Sequence, residues 1–206
     1  HALKERLAGL GSVPPWFQSL WRGTAEAGDA DRLEDCLEGG EPLCFTLVLT
    51  LDSAIRDLES QDSDRQLIAL DRLEKLGWQG GRAAVSLVGS KLVDPSSDVR
   101  FSAGRVLGSL AEPSDPEVLA LVGAHLGHAS QGVRLAAVHA LRGVARRGDP
   151  AAMQLLEPLL TDSDSSLRGS ATKALAALAL PGDLKALFLI AGRLEDPGAV
   201  RDAAVE

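Results

Sequence analysis

Tyrosine is absent from the sequence, and three Trp with four Phe make aromatics only 3% of it, so base-stacking platforms and aromatic cofactor boxes have few candidates. Cysteine occurs twice, at Cys36 and Cys44, with no CxxC and no nearby His pair. That is too little for a disulfide framework or a zinc pattern, and the two read as buried or half-buried thiols. Long apolar runs are missing as well: Leu43 to Leu51 covers nine residues with Thr46 and Thr50 inside it, well short of the roughly 20 that cross a bilayer. No transmembrane span is expected. Positive charge is scarce, since 21 Lys and Arg against 29 Asp and Glu leave a net charge of -8. This opposes nucleic-acid backbones and accommodates a basic partner more easily. The deficit is uneven, with 11 acids and 5 bases in residues 1–60 and 18 and 16 in the remainder. The opening has neither Met nor a charged stretch ahead of an apolar one, so no targeting signal is readable and the compartment stays open. The sequence ends inside a helical pattern, and the pattern is expected to continue past Glu206.

What the sequence has in abundance is self-similarity. Leucine recurs at Leu58, Leu92, Leu126, Leu160 and Leu194, each step being 34 residues. The same step links Ala69, Ala103, Ala137 and Ala171, then Leu73, Leu107, Leu141 and Leu175, then Leu76, Leu110, Val144 and Leu178. Leu87, Leu121, Leu155 and Leu189 form one further apolar column, and Val88, Val122, Leu156 and Ile190 another. A polar column runs Arg100, Arg134 and Arg168, with Arg201 one residue early. Within one unit, Val133, Ala137, Ala140, Leu141 and Val144 lie on one face of an α-helix. Asp115-Pro116 and Asp149-Pro150 each supply an N-cap followed by Pro at the first helical position, and Asp183 keeps the cap alone. Each unit is therefore read as a hairpin of helix A, a short loop and helix B. Ala at the recurrent mid-helix positions permits helix axes to approach to the short end of the usual range of about 8 to 10 Å. The fold class is all-α: an α-solenoid of about five hairpins over 42–206, preceded by an irregular helical N-terminal segment, 1–41.

The pattern Asp94, Val99-Arg100, Ala103, Val106-Leu107, Leu110, echoed by Val133-Arg134, Ala137, Ala140-Leu141, Val144, resembles the second helix of HEAT repeats. It is similar above all to the short, Ala-rich repeats of phycobilisome-lyase-type HEAT proteins. The resemblance covers roughly 42–206; the tetratricopeptide repeat shares the period, but its Trp, Tyr and Phe positions are not matched. In that family an Asp of the A–B turn and an Arg six residues on form a ladder along the solenoid. The resemblance thus implies structural roles for Asp94, Arg100, Arg134, Asp162, Arg168, Asp196 and Arg201. The Asp would accept from free N–H groups at the start of helix B, and the Arg would bridge to neighbouring turns. Two positions depart from the ladder. His128 stands where the other units have Asp, either as a tolerated turn residue or as a pH-sensitive or partner-contacting one, and Gln66 occupies the Arg column of the first unit.

In the N-terminal segment, helices are expected at 1–10 and 28–37. Between them Trp16, Phe17, Leu20 and Trp21 form a helical stripe at i, i+1, i+4 and i+5, read as a cap on the first hairpin or as an anchor for a protein partner. The local basic group is Arg134, Arg142, Arg146 and Arg147, in which Arg142 and Arg146 share a helix face with His139. If the B helices line the concave side, as in HEAT proteins, His139, Arg142 and Arg146 sit where partners bind. Catalytic constellations are not found: there is no GxGxxG, GxxxxGK[ST] or GxSxG, and no His is followed by Glu as in the iron-binding HEAT-type hydroxylases. His125 and His128 are i, i+3 with no carboxylate close in sequence to complete a metal set. Neither cofactor nor metal is expected. The expected function is a non-enzymatic protein–protein interaction scaffold, a peripheral or accessory subunit of a larger assembly. The repeat subtype also implies a second reading, a bilin-lyase-like enzyme or a chaperone of cofactor attachment that handles a tetrapyrrole. A third, a HEAT-like DNA glycosylase, runs against the net charge.

Overall fold

Helical hairpins form where the 34-residue apolar columns demand them. The computed structural model describes residues 18–22, 25–27, 46–49 and 51–193. The B helices are α2 (Ser63–Leu76), α4 (Ser97–Leu110), α6 (Gln131–Val144) and α8 (Ser165–Leu178), each of 14 residues and each starting 34 after the last. The A helices are α1 (Asp52–Glu59), α3 (Gly81–Gly89), α5 (Pro116–Gly123), α7 (Pro150–Leu156) and α9 (Leu184–Ala191). Two of them tighten at the end into 3-10 turns, Ser90–Val93 after α3 and Glu157–Thr161 after α7. In the latter Pro158 lacks the N–H that a continuing α-helix would use.

The anticipated caps are in place. Asp115, Asp149 and Asp183 each accept from backbone N–H groups at the start of α5, α7 and α9, and Asp62 and Asp164 do so for α2 and α8. A left-handed residue precedes three of the A-helix caps: Gly148 and Gly182, for which that backbone costs nothing, and Ser114 with φ of 67°. These positions also tie one unit to the next, because Ser114 N–H donates to Val144 O and Gly148 N–H to Leu178 O, both at 2.6 Å. The Ser114 hydroxyl oxygen accepts in turn from Arg146 N–H at 2.9 Å.

Most columns read from the sequence form the core, while the column Leu87, Leu121, Leu155 and Leu189 packs against it only partly buried, and Leu194 lies outside the described residues. Leu58, Leu92, Leu126 and Leu160 are buried, as are the four Ala from Ala69 to Ala171 and the four Leu from Leu73 to Leu175. Burying a leucine side chain is worth about 1.5–3 kcal/mol, so a ladder of them across neighbouring hairpins is the main stabilising term. Glycines mark a close approach between α4 and α6. A Cβ added at Gly104 would stand 3.1 Å from Ala140 Cβ, and one at Gly108 only 2.7 Å from the Gly143 carbonyl oxygen.

Ahead of the helical hairpins the described residues form strands. β1 (Gln18–Arg22), β2 (Ala25–Ala27) and β3 (Thr46–Leu49) form an antiparallel sheet in the order β2-β1-β3. Arg22 pairs with Ala25, and Gln18 with Leu49. The helical reading of Leu20 and Trp21 is therefore corrected: both lie in β1, paired with β2 and β3. The physical reason is local. Gly23-Thr24 between the paired Arg22 and Ala25 is a two-residue hairpin signal, and Thr-Leu-Val-Leu favours a pleated strand. Residues 46–49, which the period placed with the solenoid, are the third strand. The helices expected at 1–10 and 28–37 lie outside the described residues, as do Trp16, Phe17, Cys36, Cys44, Asp196 and Arg201.

Gly108→Ala should lower stability by about 1–3 kcal/mol through overpacking, although Ala favours a helix interior by about 1 kcal/mol. Thermal denaturation followed by circular dichroism checks this; an unchanged or raised melting temperature would remove the close α4–α6 contact from the account.

Candidate functional site

Two surfaces collect the polar residues singled out by the sequence: the edge formed by the A–B turns, and the exposed face of the B helices. At the edge, each described Arg of the polar column folds back over its own turn. Arg100 Nη1 donates to Asp94 O and Pro95 O at 2.7 and 2.8 Å, and Arg134 Nη1 to His128 O and Ala129 O at 2.9 and 3.1 Å. Arg168 repeats the motif on Asp162 O and Ser163 O. The Asp carboxylates are engaged elsewhere. Asp94 Oδ1 accepts from Ser96 N–H and Asp162 Oδ1 from Asp164 N–H, which shapes the entry to helix B.

The link between units runs from one column residue to the carboxylate of the next turn. Arg134 Nη2 pairs with Asp162 Oδ1 at 3.4 Å, both side chains being less than one fifth exposed. In the first unit Gln66 does the same work, its Nε2 donating to Ser60 O, Leu58 O and Asp94 Oδ2. The residue that broke the sequence pattern is thus a functioning rung. Between these two rungs, Arg100 has no ion pair among the described residues, and the position that the 34-residue step assigns to the next Asp holds His128. His128 keeps the local part of the Asp role, its Nδ1 accepting from Ser130 N–H at 3.1 Å. Asp196 and Arg201, the last rung expected, lie outside the described residues.

On the B-helix face one exposed column reads Asp71, Arg105, His139 and Lys173, one residue per unit. Asp71 pairs with Lys75 along α2, and Arg105 pairs with Glu74 across to α2. His139 meets Phe101 of α4 edge to face, with ring centroids 5.0 Å apart and planes at 82°. Burial, followed by the nearby Arg142 charge, holds the His139 imidazole below its ordinary pKa; burial and then His128 do the same to His125. Arg142 is exposed in the last turn of α6. Arg146 is not on that face. Helix α6 stops at Val144, Ala145 is extended, and Arg146 falls in the following turn against Ser114. Sequence reading brought out His139 and Arg142 but passed over Arg105 and Lys173, which the 34-residue step through His139 reaches, and Phe101, which no repeated column marks. Trp78, largely exposed beside the Arg82–Glu117 ion pair, was also passed over. Among the described residues no group of three or more His, Cys, Asp or Glu is placed to hold a metal ion.

Stacked two-helix units with a 34-residue repeat define the class as an α-solenoid. Residues 119–206 match the family of HEAT repeats. No curated protein matches the sequence. Among solved structures, the chain is similar to the complex of CpcE and CpcF of phycocyanin lyase from Nostoc sp. PCC7120, with 23% identity, 86% of this chain and 67% of that one covered, and a TM-score of 0.49. It is also similar to a designed armadillo repeat protein in complex with the peptide (KR)4, with 21% identity, coverage of 75% and 79%, and a TM-score of 0.49. An engineered protein gives 24% identity, coverage of 75% and 77%, and a TM-score of 0.48. No helix among the described residues is long and apolar enough to cross a membrane.

His128→Asp should restore the missing rung to Arg100 while keeping an acceptor for Ser130 N–H, raising stability by about 1 kcal/mol; a fall in the denaturant midpoint would contradict the ladder. The histidines set a pH dependence. With pKa values depressed in the folded state, His125 and His139 are protonated first in the unfolded chain, so their contribution is complete above the unfolded value of about 6.5 and is lost as pH falls through the folded values. Melting temperature should therefore drop between about pH 7.5 and 5.5, and His139→Gln should shallow that drop. An identical slope in the variant would show that His139 is not held neutral by the fold.

Proposed function

We propose that the protein is a non-enzymatic interaction scaffold that holds a protein partner across the exposed face of its B helices, as a peripheral subunit of a larger assembly. One observation carries this reading: the buried columns are uniform from unit to unit, while the exposed column on the same helices changes from Asp71 to Arg105 to His139 to Lys173. Four near-identical supports thereby present an acid, two cations and an imidazole at a regular step. Such a surface discriminates among partners by the order of its side chains, and stacked repeats make it extended. The HEAT repeats of residues 119–206 support the same reading, because such solenoids typically serve as interaction scaffolds.

The test begins with gentle isolation of the native protein, sizing, and mass spectrometry of what accompanies it. A photo-reactive residue at Ala176, exposed on α8, is then compared with one at Gln154, exposed on α7. The expected result is a partner at constant ratio that crosslinks from position 176 and much less from 154. Recovery as a lone chain, coloured or colourless, or crosslinking confined to 154, would overturn the reading, and a coloured lone chain would do so in favour of tetrapyrrole handling.

A further inference from the structure

We infer that the groove between α3 and α5 is a second contact surface, which takes an arginine side chain of a protein partner, its guanidinium laid on the Trp78 ring and donating to the Glu112 carboxylate. The inference goes beyond the B-helix face and does not rest on it. The two residues belong to the turns that lead into A helices. Gly77 and Gly81, with φ of 58° and 59°, carry the chain out of α2 and into α3, a backbone that glycine adopts without strain. The 3-10 turn Gly77–Gly80 leaves Trp78 76% exposed. Glu112 stands one 34-residue step further on, exposed in the turn that leads into α5. Trp78 and Glu112 line one groove of about 290 Å³, together with Arg82, Val85, Asp115 and Glu117.

The charges of this groove decide the sign of what it takes. Arg82 of α3 pairs with Glu117 of α5, and Asp115 caps α5 by accepting from the Glu117 and Val118 N–H groups. Among the described residues Glu112 has no ion pair and Trp78 no ring contact. Arg82 is thus the one cation of a lining that holds the carboxylates of Glu112, Asp115 and Glu117, in a chain whose net charge is -8. A cation is drawn to the face of an aromatic ring, and to that of Trp most strongly, within about 6 Å of its centroid. A guanidinium suits the pair better than an ammonium, because it is planar, weakly hydrated, and can stack on an indole while its N–H edge meets a carboxylate. The same column also sets a limit. One step beyond Glu112 it carries Arg146, exposed, at a helix spacing of about 8–10 Å that is close to the screening length of about 8 Å at physiological salt. Positive charge is favoured at the Trp78–Glu112 end and opposed toward Arg146, which fits one arginine rather than a polybasic run. A nucleic-acid backbone would meet the carboxylates and is repelled.

The probe is a blocked pentapeptide with one central Arg among Gly and Ser, compared with the same peptide carrying citrulline, its uncharged isostere. Titrations of the isotope-labelled full chain are followed by NMR, through the backbone amide of Glu112 and the Trp78 indole N–H, the indole signal that Trp78→Phe removes. The Arg peptide should shift both signals and bind about tenfold more tightly than the citrulline peptide. Trp78→Leu should weaken binding about tenfold, and Trp78→Phe only about threefold, since a phenyl ring keeps a π face. Glu112→Gln should weaken it about threefold. Asp98→Asn removes an equal charge at the start of α4, off this groove, and should leave binding unchanged. Circular dichroism melts show that each variant is folded. Absence of a shift at Trp78, equal binding of the citrulline peptide, indifference to Trp78→Leu, or equal losses from Glu112→Gln and Asp98→Asn would each overturn the inference, the last by reducing the attraction to net charge. Crosslinking from Ala176 reads the B-helix face alone, so either surface can fail without the other.

Discussion

A two-helix hairpin with one apolar stripe per helix cannot bury those stripes against itself, and that constraint governs the whole solenoid. Each B helix needs the B helix before it and the one after it, and each A helix fills the groove behind. The columns through Ala103 and Leu107, Ala137 and Leu141, and Ala171 and Leu175 are the places where this need is met. Small residues set the spacing. Gly104 and Gly108 let α4 approach the backbone of α6 so closely that a methyl group at Gly108 would collide with a carbonyl. Stability is then a sum of units and of the interfaces between them, and the interfaces decide it.

Polar groups reinforce the same coupling at the rim. A donor in the column of Gln66, Arg100, Arg134 and Arg168 closes its own turn through carbonyl oxygens, and at Gln66 and Arg134 it also reaches the carboxylate of the next turn. His128 interrupts that series in the middle of the stack. It satisfies Ser130 as an aspartate would, yet offers Arg100 no negative charge, so the junction between α4 and α6 rests on close packing while the flanking junctions have a rung as well. The close glycine-lined approach and the missing carboxylate therefore occur at the same interface.

Much of this architecture was legible in the sequence because a repeated burial problem has a repeated solution. The apolar columns and the Asp N-caps recur at one step, so each unit checks the others. The misses fall where there is no repetition to consult. Leu20 and Trp21 suit a helical stripe, but they suit a strand as well, and the two-residue signal Gly23-Thr24 was the better guide. Arg146 was placed one turn too far along α6 because nothing in its own sequence marks Val144 as the last helical residue; Ala111, Ala145 and Ala179, all extended at the ends of their helices, show the stop only when aligned. Gln66 looked like a defect in the ladder because the ladder was read within a unit, from Asp to the Arg six residues on, whereas the carboxylate contact runs to the following unit. Of the candidate site, His139 and Arg142 were found through their charge. Lys173 lies one 34-residue step from His139, whereas Phe101 needed the fold to place it against the His139 ring.

The claim on which the account turns is that neighbouring hairpins stabilise one another. The most direct measurement is amide hydrogen exchange, resolved by helix, on the protein and on Leu141→Ala, a truncation expected to cost about 2–5 kcal/mol at a buried core position. The account predicts that protection falls together in α4, α6 and α8, and less in α2, two units away. Loss confined to α6, with α4 and α8 exchanging as before, would mean that each hairpin stands alone and would contradict it.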